Sequence, residues 1–188
     1  MALSAAMTAA APAATKGADC ACVPGKPTAA SAHWNFKGET NQIFQQIRDE
    51  AQMASYHADK LASFAQDPNL DWTVHSEQLA YLRSEINDMG KKVCRLAQIR
   101  SADAPWQQTE IKRIHKYLQF MADSTDDAIL FGKTHTNALW MPVYQRYTDV
   151  IFNQAEKLSH SVDQAVEYAG TSKEYKTLGQ DLGVKKSS

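Results

Sequence analysis

Three histidines, His57, His75 and His135, together with the neighbouring Trp140 and Met141, are the side chains whose types could hold a ligand between them. Neutral imidazole ligates zinc, copper or haem iron, and methionine sulfur can complete haem coordination. Their spacing makes shared coordination demanding. His57 falls about two turns from one bundle end and His75 about one turn, so the helix rise alone separates them by roughly 8 Å. Singly hydrogen-bonded or partly exposed histidines are the plainer expectation. Glu50 stands seven residues before His57 on the same helix face, and Thr125, Tyr147 and Gln154 fall at similar depth on other helices. Such residues suggest a buried polar layer that fixes helix register. A carboxylate-bridged di-iron centre would require Glu-x-x-His pairs, and the chain contains none.

Thiol chemistry has three candidates. Cys20 and Cys22 form a Cys-x-Cys, which can bind a soft metal or exchange disulfides when both thiolates converge. Cys94 lies beside an apolar helix stripe and is expected as an inert, buried or half-buried thiol. Covalent haem attachment through Cys-x-x-Cys-His is excluded, because that motif is absent. The Gly-rich phosphate loops, the Gly-x-Ser-x-Gly nucleophile turn and the His-Glu-x-x-His zinc motif are absent too. No constellation points to an enzyme.

Composition narrows the remaining classes. Apolar residues make up 44% and charged residues 22% of 188 positions, which is ordinary for one globular domain. The net charge is −1, with lysines and arginines scattered among the acids, so no electrostatic footprint for nucleic acid is present. Asp123, Asp126 and Asp127 read as a solvated helix face. No apolar run approaches the ~20 residues of a membrane helix. The Ala-rich opening carries Ala11-Pro12-Ala13, an A-x-A cleavage pattern, though it lacks a basic n-region and a strongly hydrophobic h-region. A periplasmic or secreted protein with a signal peptide is the expectation.

The elements that must position these residues follow from four tryptophans, Trp34, Trp72, Trp106 and Trp140, three of them at or after a turn-forming stretch and ahead of a long amphipathic run. Apolar residues recur at alternating steps of four and three, most cleanly through His75, Leu79, Leu82, Ile86, Met89, Val93 and Leu96. The first helix is expected from Thr40 to the Asp67-Pro68 turn, with a seam of Ile43, Ile47, Glu50, Ala54, His57, Leu61 and Phe64. The second is capped by Asp71, the third begins at Pro105 and stops at Gly132, and the fourth begins at Pro142, or a turn earlier from Asn137, and stops at Gly170. The third seam is Ile111, Ile114, Leu118, Met121, Thr125 and Ala128. The fourth is Tyr144, Tyr147, Ile151, Gln154, Leu158, Ser161, Ala165 and Tyr168.

Short turns join long helices, so the expected fold is all-α, an antiparallel up-down-up-down four-helix bundle with a disordered N-terminal arm. Residues 1–38 form the arm, 39–170 the bundle and 171–188 a frayed tail. The tryptophans are expected to cover both ends of the core. The expected role is non-enzymatic, a binding or scaffold protein whose partner, another protein, docks on a helix face or end and which needs no cofactor. The alternative is a metal- or haem-binding bundle using the histidines near one end.

Overall fold

A computed structural model describes residues 36–99 and 104–181, with side chains described for residues 38–99 and 104–178. Four helices account for them: α1 (Phe36–Phe64), α2 (Trp72–Ile99), α3 (Pro105–Thr134) and α4 (Pro142–Asp181). The protein is an all-α four-helix bundle. Among the described residues there is no strand, and no helix is long and apolar enough to cross a membrane. Cys20, Cys22, His33 and Trp34 lie outside the described residues, as does the expected arm up to residue 35; its last three residues, 36–38, belong to α1.

Local chemistry explains most helix ends. The Asp71 carboxylate accepts the N–H groups of Thr73 at 2.8 Å and Val74 at 3.3 Å, satisfying two of the four donors a helix start leaves open. Pro105 occupies the first position of α3, where a missing N–H costs nothing, and the Gln107 side chain reaches back to the Ala104 N–H at 2.8 Å. Pro142 opens α4 in the same manner. The turn after α1 closes on itself, with Asp67 accepting from the Asn69 N–H at 2.9 Å.

Three boundaries differ from expectation. The first helix starts at Phe36, one turn before Thr40, which is buried instead of capping. An ion pair from Arg95 to Glu39 at 2.7 Å joins the first turn of α1 to the end of α2. Gly132 does not stop α3, which continues to Thr134. The glycine is there for space: the Trp72 ring lies against it, and any Cβ would overlap the indole. Gly170 does not stop α4, which runs eleven residues further to Asp181, counting from 170.

The helices form a square, with α1 and α3 each packed on both α2 and α4. Contacts along three of the four seams descend on one helix as they ascend on the other, as antiparallel neighbours require. Glu39 meets Arg95 while Phe64 meets His75 on α1 and α2. Gln52 meets Asp163 while the Ala65 carbonyl accepts from Gln145 at the α4 side. Trp106 meets Tyr168 while Phe131 meets Tyr144 on α3 and α4.

All four helices feed one core. The α2 stripe from His75 to Leu96 and the α3 stripe from Ile111 to Ala128 are buried as expected. On α1 the inner row keeps Ile43, Ile47, Ala54 and Leu61 of the expected seam, but not its other three members. Ala51, Ala58 and Ala65 are fully buried beside Ala54 and Leu61, whereas Glu50, His57 and Phe64 stand half-buried at the edge. The small side chains let α1 approach its neighbours closely, which moves the longer polar ones to the rim. On α4, Thr148, Ala155 and Val162 complete the inner row, while Tyr147 and Gln154 are half-buried and Tyr168 is exposed. Each fully buried large aliphatic side chain, such as Leu61, Leu82 or Leu158, contributes about 1.5–3 kcal/mol.

Candidate functional site

The end formed by the last turns of α1 and α3 and the first turns of α2 and α4 brings together many of the residues singled out from the sequence. His75 sits there, fully buried, one turn into α2. Its Nδ1 lies 3.1 Å from the Tyr144 hydroxyl on α4, and the two rings meet edge to face at 5.4 Å. Phe64 of α1 adds a second edge contact at 6.0 Å, and Phe131 of α3 packs on Tyr144 at 5.9 Å. The result is a neutral aromatic plug with contributions from all four helices.

Burial sets its electrostatics. Desolvation pushes the His75 imidazole below its ordinary pKa, with Asp71 pulling weakly the other way. Desolvation also pushes the Tyr144 hydroxyl well above its usual range. The His75 Nε2 is buried with no hydrogen-bond partner. An imidazolium would carry a second N–H there with nothing to accept it, so geometry and desolvation both favour the neutral ring.

The other two histidines have separate surroundings. His57 Nδ1 lies 2.9 Å from Gln78 Oε1, which can only accept, so the proton is on that nitrogen. The ring stacks on Tyr81 at 4.7 Å. His135 is exposed on the α3–α4 turn, stacked on Phe131 at 4.4 Å, with Nδ1 2.8 Å from Thr134 Oγ1. The three imidazoles are thus not gathered around one point. Among the described residues no group of three or more His, Cys, Asp or Glu side chains is placed to hold a metal ion.

Trp140 and Met141 differ sharply from the residue that precedes them. Leu139 is 3% exposed and belongs to the core, whereas Trp140 is 51% and Met141 37% exposed, followed by Val143 at 46%. Backbone bonds from Ala138 N–H to the His135 carbonyl at 2.9 Å and from Met141 N–H to the Ala138 carbonyl at 3.1 Å hold the turn. Leu139 pins the segment while the next two side chains are presented outward. Trp72 and Trp106 do pack half-buried against the core, as end covers should; Trp140 does not.

The residues assigned to a polar layer are dispersed. Glu50 pairs through Oε1 with Lys92 at the α1–α2 edge, and its Oε2 is buried without a partner. Nearby Glu85 has its pKa raised by burial and by the Glu50 charge. Thr125 is buried with an unpartnered Oγ1. Tyr147 packs its ring 6.5 Å from Phe131, and Gln154 is half-buried. Among the described residues no hydrogen bond joins these four to one another.

Two features escaped the sequence. At the opposite end, buried Glu110 accepts from the Ser161 hydroxyl and from Arg113 at 3.0 Å, and Arg113 also reaches Ser161 Oγ at 3.3 Å. A glutamate on a charged helix gives no signal of this until the serine opposite is known. Cys94 is not an inert thiol. It is half-buried and disulfide-bonded. The odd count of three cysteines was the available hint.

Compared with protein-family models, with curated proteins and with solved structures, the chain matches none. The class is therefore defined by the fold and the site alone: an all-α four-helix bundle with a sealed aromatic end beneath an exposed tryptophan–methionine turn.

Proposed function

We propose that this bundle is a non-enzymatic binding protein whose partner, another protein, docks at the end carrying the α3–α4 turn. One observation carries the reading: Leu139 is buried while Trp140, Met141 and Val143 on the same hydrogen-bonded turn are exposed. Large apolar side chains held at the surface cost solubility and contribute nothing to the core. Tryptophan and methionine are enriched at protein interfaces. A turn fixed by its own backbone bonds loses little conformational entropy when a partner covers it. The sealed plug below supports the turn without offering a reacting group.

An exported location belongs to the same reading. The Ala11-Pro12-Ala13 pattern and the disulfide at Cys94 support it, because disulfides persist in oxidising compartments.

The test is a double substitution, Trp140→Ser with Met141→Ser, in protein purified with its bound partner from its native source. Exposed positions shift stability by no more than about 0.5 kcal/mol, so the unfolding midpoint should hold. The partner should no longer co-purify. A partner retained at wild-type level would refute the docking end.

A further inference from the structure

The end that carries the Trp140 turn differs from the rest of the molecule in charge. Two stretches build most of its surface: the α1–α2 turn with the first turn of α2, residues 65–75, and the last three turns of α3, the α3–α4 turn and the first two turns of α4, residues 123–149. Together they carry six aspartates, Asp67, Asp71, Asp123, Asp126, Asp127 and Asp149, against two cations, Lys133 and Arg146. The last two turns of α1 add one charge of each sign. Six against two is a formal charge of −4 in a chain whose total is −1, so the remainder is net positive. All six aspartates are exposed, and among the described residues none of them is in an ion pair. The ion pairs of the described residues all lie in the far half of the bundle. Unneutralised charges of one sign repel one another and favour an approaching cation.

These acids border the exposed apolar groups. Leu130 is exposed one turn beyond Asp126 and Asp127 on α3, and Trp140, Met141 and Val143 follow across the turn. By helix rise Asp126 and Asp127 are about 10–12 Å from the end of α3. An ordinary interface covers about 800 Å² on each partner, a disc of roughly 16 Å radius, so a partner centred on Trp140 reaches them.

We propose that the partner of this end is a basic protein surface, with lysines and arginines around an apolar centre. The inference rests on the reading of this end as a docking site and names the chemistry of what docks there. The apolar centre covers Trp140, Met141 and Leu130, where burial supplies affinity. The surrounding cations meet the aspartates, where they speed encounter and select against acidic competitors. A second copy docking through the same end would set like charges against each other.

The test places a photo-activated cross-linking residue at position 140 of the full chain and irradiates it in extract of the native source. The unaltered background is compared with Asp126→Lys plus Asp127→Lys. Glu167→Lys plus Glu174→Lys, on α4 towards the opposite end, is the control of equal charge change. All four positions are exposed, so the unfolding midpoints should agree. The expected result is a discrete product that falls about fivefold in the first reversal and holds in the second. Asp126→Asn plus Asp127→Asn should fall between, and raising NaCl from about 50 mM to about 500 mM should lower the yield. A product undiminished by the aspartate reversal, one formed with this chain alone, or one whose cross-linked segment is net acidic would overturn the basic partner and leave the docking end standing. No product from the unaltered background would overturn both.

Discussion

The two ends of the bundle solve the same problem with opposite chemistry. Where α2 and α4 begin, the core is closed by His75, Tyr144, Phe64 and Phe131, all uncharged, with Trp72 laid over Gly132. Where α1 and α3 begin, it is closed by Trp106 against Phe44 and Tyr168, and beside these by the Glu110–Arg113–Ser161 cluster. The first end tolerates no charge because its polar atoms are buried without spare acceptors. The second uses a charge but leaves Arg113 half in water, where its guanidinium stays solvated. The neutral plug is the end that carries the exposed Trp140 turn.

The sharpest way to break this contrast is at Gly132. Replacing it with alanine raises helix propensity by up to about 1 kcal/mol, yet the Trp72 ring occupies the position of the new methyl group. Displacing the ring should win, giving a net loss of about 2–3 kcal/mol in denaturant unfolding. A more stable variant would show that the indole is not a fixed cover.

Glu110→Ala probes the charged end. It leaves the buried Ser161 hydroxyl without its acceptor, at a cost of about 2 kcal/mol. Because the Arg113 partner is exposed to solvent, part of that difference should shrink in high salt. The penalty of Gly132→Ala should not.

Acid distinguishes the ends next. The folded-state pKa of His75 is depressed, so above the unfolded value of about 6.5 both states are neutral and pH has no effect through this group. Below it the unfolded chain binds a proton that the folded chain resists. Stability then falls as pH drops towards the folded pKa, by at most ~1.4 kcal/mol per unit. His75→Phe should flatten the slope over that interval. An unchanged slope would place the acid sensitivity elsewhere.

Thr125→Val removes a buried hydroxyl that has no partner while keeping the shape, and should stabilise by about 1 kcal/mol in thermal unfolding. Gly90→Ala is the smallest effect and the control for Gly132. Nothing stands within 4 Å of a Cβ there, so a gain of about 0.5–1 kcal/mol is expected.

The residues differ in how far their roles could be read from the chain. The α2 stripe was legible because its large apolar residues repeat at steps of four and three with no competing row. On α1, Ile43, Ile47, Ala54 and Leu61 were legible as inner positions, whereas Glu50, His57 and Phe64 stand at the edge because the small Ala51, Ala58 and Ala65 beside them take the inner places. Gly132 reads as a stop from its neighbours alone. Only Trp72, sixty positions earlier, reveals that it makes room for a ring. Gly170 misleads in the same way, since α4 passes through it with open space around it. Trp140 and Met141 stood out by type and by their place after a turn. Their exposure was not visible, because it depends on Leu139 taking the buried position beside them.

The docking end is tested most directly by a photo-activated cross-linking residue placed in turn at position 140 and at position 120, irradiated in cells of the native source. Phe120 is comparably exposed, at 45%, but lies in the middle of α3 away from the turn. A discrete cross-linked product from position 140 and none from position 120 is the predicted result. No product at 140, or the same product from both positions, would contradict it.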